Sequence, residues 1–112
     1  MSLVLTSQSN HTLTITINRP DKKNALTREM YQQMADALLS IKNDGVTKAV
    51  VIKGSGDCFT AGNDINDFAA QKEGAQVPET AAFMRSLMTC PVPVIAQVHG
   101  LAVGIGTTLL LH

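Results

Sequence analysis

Two stretches of this chain share one design, and the design restricts what the chain can fold into. Residues 49–68 open with Ala49-Val50-Val51-Ile52 and pass through the turn-like Lys53-Gly54-Ser55-Gly56-Asp57. They continue as Phe59-Thr60-Ala61-Gly62-Asn63-Asp64-Ile65-Asn66-Asp67. Residues 94–111 open with Val94-Ile95-Ala96-Gln97-Val98 and turn through Gly100, Gly104 and Gly106 into an apolar helix. An apolar strand, a glycine-containing turn and a helix follow one another in each. Because residues 49–52 are apolar at every position, they predict a strand buried on both faces, hence parallel and covered by helices. If the two strands are neighbours, both turns lie at their carboxyl ends, where α/β sheets bind ligands. Each helix start then offers unpaired N–H groups and the positive end of a dipole. From spacing alone two readings stand. The turns reverse the chain and nothing more, or the facing helix starts hold an anionic oxygen.

The remaining chain supplies elements for such a sheet. Leu3-Val4-Leu5 is a short apolar run, and Leu13, Ile15 and Ile17 alternate with threonines at a period of two. Together they predict a hairpin turning around residues 7–11, broken by Asn18-Arg19-Pro20-Asp21. Thr27 is placed to cap a helix to about Lys42, with Met30, Met34, Ala37, Leu38 and Ile41 on one stripe. Asn43-Asp44-Gly45 stops it. Residues 71–77 read as a polar loop, and Pro78 begins a helix through Phe83, Leu87 and Met88. Pro91 and Pro93 end that helix before the second apolar strand. The order ββ-α-β-α-α-β-α predicts an α/β architecture. At 112 residues, with no repeat and no linker, the chain is one domain or a part of one. It ends on Leu109-Leu110-Leu111-His112, apolar where a finished domain is usually polar, so a longer protein is expected.

Several functions are disfavoured by composition. Nine basic residues cancel nine acidic ones, and with no Trp and one Tyr there is no platform for stacking bases, which argues against nucleic acid. Cys58 and Cys90 lack CxxC spacing or a histidine cluster and are expected as reduced thiols of an intracellular, cytoplasmic protein. The N-terminus has no basic region before a long apolar core, and no apolar run approaches the roughly 18 residues of a membrane span. The glycines near the C-terminus do not form GxGxxG, and no Gly-Lys-Ser/Thr occurs. Asp64 and Asp67 are spaced to share a helix face, yet Asp64 reads more simply as a helix cap than as half of an acid–base pair. His99 has neither Cys nor Ser placed as its nucleophile, and His11 and His112 lie too far along the chain to suggest a metal site. Asp21-Lys22-Lys23 reads as a solvated turn, with two cations available to a phosphate.

Three motifs in order carry a resemblance. They are residues 18–26 (Asn18-Arg19-Pro20-Asp21-Lys22-Lys23-Asn24-Ala25-Leu26), residues 59–65, and Pro93-Val94-Ile95-Ala96-Gln97-Val98-His99-Gly100 followed by Ala102-Val103-Gly104-Ile105-Gly106. In this order and spacing the chain resembles the crotonase, or enoyl-CoA hydratase/isomerase, superfamily. The resemblance implies an α/β crotonase/ClpP-like spiral of ββα units with two roughly perpendicular sheets. Residues 1–112 would be the N-terminal part of one such domain, incomplete at its C-terminus. It further implies an acyl-CoA thioester as substrate, with no separate cofactor and no metal. The thioester oxygen would lie between the backbone N–H groups of Asn63 and Ile105. Lys22, Lys23 and Ala25 would line the CoA, and Ala61, Asp64 and Ile65 would border its pantetheine and adenine. Where hydratases of this family carry a glutamate, this chain has Thr108. The resemblance therefore leans towards Δ3,Δ2-enoyl-CoA isomerases, which use one glutamate, expected here beyond His112. Alternatives are a hydratase or other crotonase reaction, or a non-catalytic acyl-CoA-binding homologue. These 112 residues by themselves are expected not to turn substrate over, and the full-length protein is expected as a homotrimer or hexamer. No membrane or nucleic-acid partner is expected, and the cytoplasmic expectation leaves open organellar targeting at a missing C-terminus.

Overall fold

The structure is a computed structural model that describes residues 3–41, 44–56, 58–62, 64, 78–98 and 101–102. Strands β1 (Val4–Ser9) and β2 (Thr12–Ile17) form an antiparallel hairpin, with Ser9 opposite Thr12. Asn10 and His11 at the turn have φ of 51° and 66°. A two-residue loop with positive φ matches the right-handed twist of the strands, so the turn is tighter than the five residues expected. The polar Ser7-Gln8-Ser9 stays in the ladder because β1 is an edge strand, exposed beyond Val4, and Gln8 donates to Thr47 Oγ1 at 2.6 Å.

β3 (Ala49–Gly54) lies parallel to β2, and β5 (Val94–Gln97) lies parallel to β3, giving a sheet in the order β1-β2-β3-β5. The parallel arrangement expected from residues 49–52 is present, but burial on both faces is not. Val50 and Ile52 join the core while Ala49, Val51 and Lys53 are partly exposed, and Ile95, opposite Val51, is 54% exposed. The described helices supply their buried side chains to one cluster with Leu13, Ile15, Ile17, Val50 and Ile52, so they cover one face of the sheet. A continuous apolar run reports what each position tolerates; which face is covered is a tertiary fact.

α1 (Arg28–Ser40) begins as its sequence predicts. The Thr27 hydroxyl accepts from the Met30 N–H at 3.2 Å, and the Thr27 N–H points at Met30 Sδ, 3.5 Å away. A thioether thus occupies the place that glutamate takes in an ordinary capping box. The helix stops at Ser40, with Ile41 at its cap, slightly short of the expected end. Met30, Met34, Leu38 and Ile41 are buried as expected, but Ala37 is only partly so, and Tyr31 and Ala35 are buried instead. The stripe is displaced because α2 (Pro78–Met88) packs alongside, with the rings of Tyr31 and Phe83 5.7 Å apart. Burial pushes the Tyr31 phenol well above its ordinary pKa. The helices expected after Asp64 and after Gly106 lie outside the described residues.

Two strands were not anticipated. β4 (Cys58–Thr60) and β6 (Leu101–Ala102) pair in parallel as a second, smaller sheet. With three and two residues they are too short to carry a period. Gly54 makes the path to β4 possible. A Cβ there would collide with the carbonyl oxygens of Cys58 and Phe59, so the chain leaving β3 folds directly against the strand it is about to form.

An ion pair joins the starts of the two helices. Arg28 Nε and Nη2 donate to the Glu79 carboxylate at 3.0 and 3.3 Å. Those bonds hold Glu79 below the ordinary carboxylate range. Its folded pKa lies below its unfolded one, so the contribution is present above the unfolded value, about 4.3, and is lost as pH falls through the folded value. Urea titrations at pH 7 and at about pH 3.5 should show Glu79→Gln less stable than the parent at the higher pH, with the gap narrowing at the lower. A gap independent of pH would assign the pair no role in folding.

Candidate functional site

The two strand-and-turn segments are brought together twice. β3 and β5 are neighbours in register, from Val50 opposite Val94 to Lys53 opposite Gln97, so their carboxyl ends share one edge of the sheet. From that edge the chains continue into β4 and β6, where Cys58 lies opposite Leu101 and Thr60 opposite Ala102, with an irregularity between the pairs. Asn63, Ile65 and Ile105 lie outside the described residues, as do Asp67 and His99.

The segment after β2 closes over this edge. Pro20–Lys22 forms one turn of 3-10 helix, and Lys23 and Asn24 follow with φ of 52° and 58°. Two successive left-handed residues reverse the chain and turn the Asn24 side chain inward, where it is fully buried. Its amide donates to the Ser55 carbonyl at 2.8 Å and the Cys58 carbonyl at 2.7 Å, while its oxygen accepts from the Arg19 N–H at 2.8 Å. The Thr60 hydroxyl donates to the Asn24 carbonyl at 2.7 Å. One side chain therefore ties the end of β3, the start of β4 and the loop together.

Beyond β4 the backbones zip. The Ala61 N–H donates to the Lys23 carbonyl at 3.0 Å, the Leu26 N–H to the Gly62 carbonyl at 2.8 Å, and the Asp64 N–H to the Leu26 carbonyl at 2.8 Å. Gly62 has φ of 91°, a conformation open to glycine, and its N–H donates to Thr60 Oγ1 at 3.1 Å. Leu26 thus holds the residues on both sides of position 63.

Of the residues expected along CoA, Lys22 and Lys23 are exposed, and Ala25, Ala61 and Asp64 are partly buried on the zipped segments. The structure brings these five residues to one place. Asp64 was expected as a helix cap; its carboxylate accepts from Arg19 Nη1 at 2.5 Å, and the helix it would cap lies outside the described residues. Neither Cys58 nor Cys90 is in a disulfide, and the Cys58 thiol donates to the Lys23 carbonyl at 3.1 Å. Sequence reasoning gave no role to Arg19 or Asn24. Asn24 had a faint signal, since Asn tolerates the left-handed region within a loop. Arg19 had none, because its partner Asp64 is distant in sequence.

The profile of the enoyl-CoA hydratase/isomerase family matches residues 7–112. The chain belongs to that family. It is similar to the human mitochondrial Δ(3,5)-Δ(2,4)-dienoyl-CoA isomerase, with 37% identity over 97% of this chain and 38% of that protein. It is similar to a probable enoyl-CoA hydratase of Mycobacterium tuberculosis, at 37% identity over 96% of this chain and 43% of that one. Among solved structures, Pseudomonas aeruginosa OdaA superposes with a TM-score of 0.92 at 48% identity, covering all of this chain and 45% of that chain. The fold is accordingly the crotonase fold of this family, and the chain spans about two fifths of the length of these curated relatives. Among the described residues, no helix is long and apolar enough to cross a membrane.

Asn24 offers a direct test of how the site is held. Asn24→Ala removes the bonds to the Ser55 and Cys58 carbonyls and from the Arg19 N–H, a loss of about 3 kcal/mol once the left-handed backbone is included. Asn24→Asp should also destabilise, because a carboxylate cannot donate to two carbonyls. Unfolding free energies from urea titration within about 0.5 kcal/mol of the parent for either variant would show that the junction does not depend on this amide.

Proposed function

We propose that the chain carries the oxyanion site and much of the CoA site of an enzyme that moves a double bond in an acyl-CoA thioester, from 3-enoyl to 2-enoyl. The donors are the backbone N–H groups of Asn63 and Ile105. Lys22, Lys23, Ala25, Ala61, Asp64 and Ile65 lie along the CoA, the two lysines meeting phosphate oxygens as point charges.

One observation carries the reading. β4 and β6 are parallel, with Thr60 opposite Ala102, and each candidate donor stands three residues further along its strand's chain. Parallel neighbouring strands send the two chains off from the same end, which suits two donors meeting a single oxygen. Gly62 at positive φ and the bonds from Leu26 on either side of position 63 add to it.

The chemistry needs such a pair. A base removes the C2 proton; the electron pair of that C–H bond moves into the thioester, placing negative charge on the carbonyl oxygen. The carbonyl then re-forms, a C2–C3 double bond appears, and the electrons of the old C3–C4 double bond take a proton at C4. Two fixed N–H donors stabilise the dienolate oxygen between these steps, and losing one such donor costs about 10²–10³ in rate. Isomerisation is preferred because Thr108 stands where hydratases of the family carry a glutamate, while adding water across a double bond is usually assigned two carboxylates. The probable hydratase among the relatives favours hydration as the second reading.

Rates of the intact protein on 3-enoyl-CoA and on 2-enoyl-CoA in water separate the two. The isomerase reading expects double-bond transfer to exceed hydration by at least about tenfold, a difference of roughly 1.4 kcal/mol in barrier. Hydration at an equal or greater rate would overturn it.

A further inference from the structure

The zipped segments are crossed by a side chain that the oxyanion chemistry does not use. Arg19 Nη1 donates to the Asp64 carboxylate at 2.5 Å and to the Ala25 carbonyl at 3.2 Å. These acceptors lie on opposite segments, one on the loop after β2 and the other beyond β4. The Arg19 and Asp64 side chains are 17% and 13% exposed, so their attraction is less screened than that of a surface pair. Arg19 is also fixed at its root, since its N–H donates to Asn24 Oδ1 and its carbonyl accepts from the Asn24 N–H, both at 2.8 Å. A guanidinium anchored at one end and bonded to both segments at the other resists their separation, and its planar fork loses little freedom in doing so.

We propose that Arg19 is a positioning residue that, through Asp64 and Ala25, straps the CoA-side loop to the segment flanking the oxyanion donor, so that CoA binding and oxyanion placement are coupled. The inference rests on the oxyanion assignment above for its catalytic consequence, but the strap itself is a property of the described backbone. Asp64 then serves the site through its hold on Arg19. Thioester binding pulls on Lys23 and Ala25, and the strap transmits that registration to Gly62 and Asp64. Misplacing a donor by a fraction of an ångström weakens it at the transition state while leaving CoA contacts largely intact.

The test has two readouts on the intact protein. Amide hydrogen exchange should accelerate about 10–100-fold at Leu26 and Asp64 in Arg19→Gln, less in Arg19→Lys, with the Val50 amide in the main sheet unchanged. In turnover of 3-enoyl-CoA, Arg19→Gln and Asp64→Asn should each lower kcat about 10–100-fold with KM within about threefold, and the double variant should lose little beyond either single one. Arg19→Lys should recover part of kcat. Unchanged exchange at Leu26 and Asp64, or acceleration that extends equally to Val50, would overturn the strap. A raised KM with kcat intact, or additive losses in the double variant, would overturn the coupling. Should the parent fail to turn over any enoyl-CoA, the fault lies with the proposed reaction, and exchange at Leu26 and Asp64 still decides the strap.

Discussion

A single buried carboxamide holds the functional edge of this protein together. Asn24 reaches the residue just after β3, the first residue of β4 and its own loop, and no hydrophobic side chain can satisfy those backbone groups. The segment beyond β4 is suspended from that junction. Ala61, Gly62 and Asp64 bond to Lys23 and Leu26 because Asn24 has already brought the loop over β4. The main core of sheet and helices supplies stability below it but does not set this register.

The site that results is made of backbone more than of side chains. β3 and β5 are parallel neighbours, the chains re-pair as β4 and β6, and the segment beyond β4 is held by main-chain bonds. Donors carried on such backbone, as proposed for Asn63 and Ile105, would require no reorganisation when charge develops on a bound oxygen. Side chains act at one remove. Arg19 bonds to both zipped segments through Asp64 and Ala25, and the exposed lysines, on the proposed reading, would offer charge to a phosphate without fixing geometry.

Local features of this fold were legible in the sequence. Thr27 announced the start of α1 because a cap depends on residues a few positions away, and Leu13, Ile15 and Ile17 announced β2 through strict alternation. The parallel direction of residues 49–52 is read from their continuous apolar run, although the two-faced burial behind that reading is absent. Features set by distant partners were not legible. β4 and β6 exist because Gly54 allows close approach and Asn24 anchors the result, not because five residues prefer extended backbone. Tyr31 and Ala35 are buried because α2 lies beside them, and Val51 is not fully buried because the described helices cover the other face. The site showed the same division. The motifs marked Ala61, Asp64 and the lysines, while the contact that joins Asp64 to Arg19 spans a separation no local pattern records.

The account's central claim is that two backbone donors, on the chains leaving parallel β4 and β6, meet one thioester oxygen. A structure of the intact protein with a bound acyl-CoA thioester tests it most directly. The predicted result is a carbonyl oxygen about 2.7–3.2 Å from both the Asn63 and the Ile105 backbone nitrogens. An oxygen held by side chains, or bonded to neither nitrogen, would contradict it.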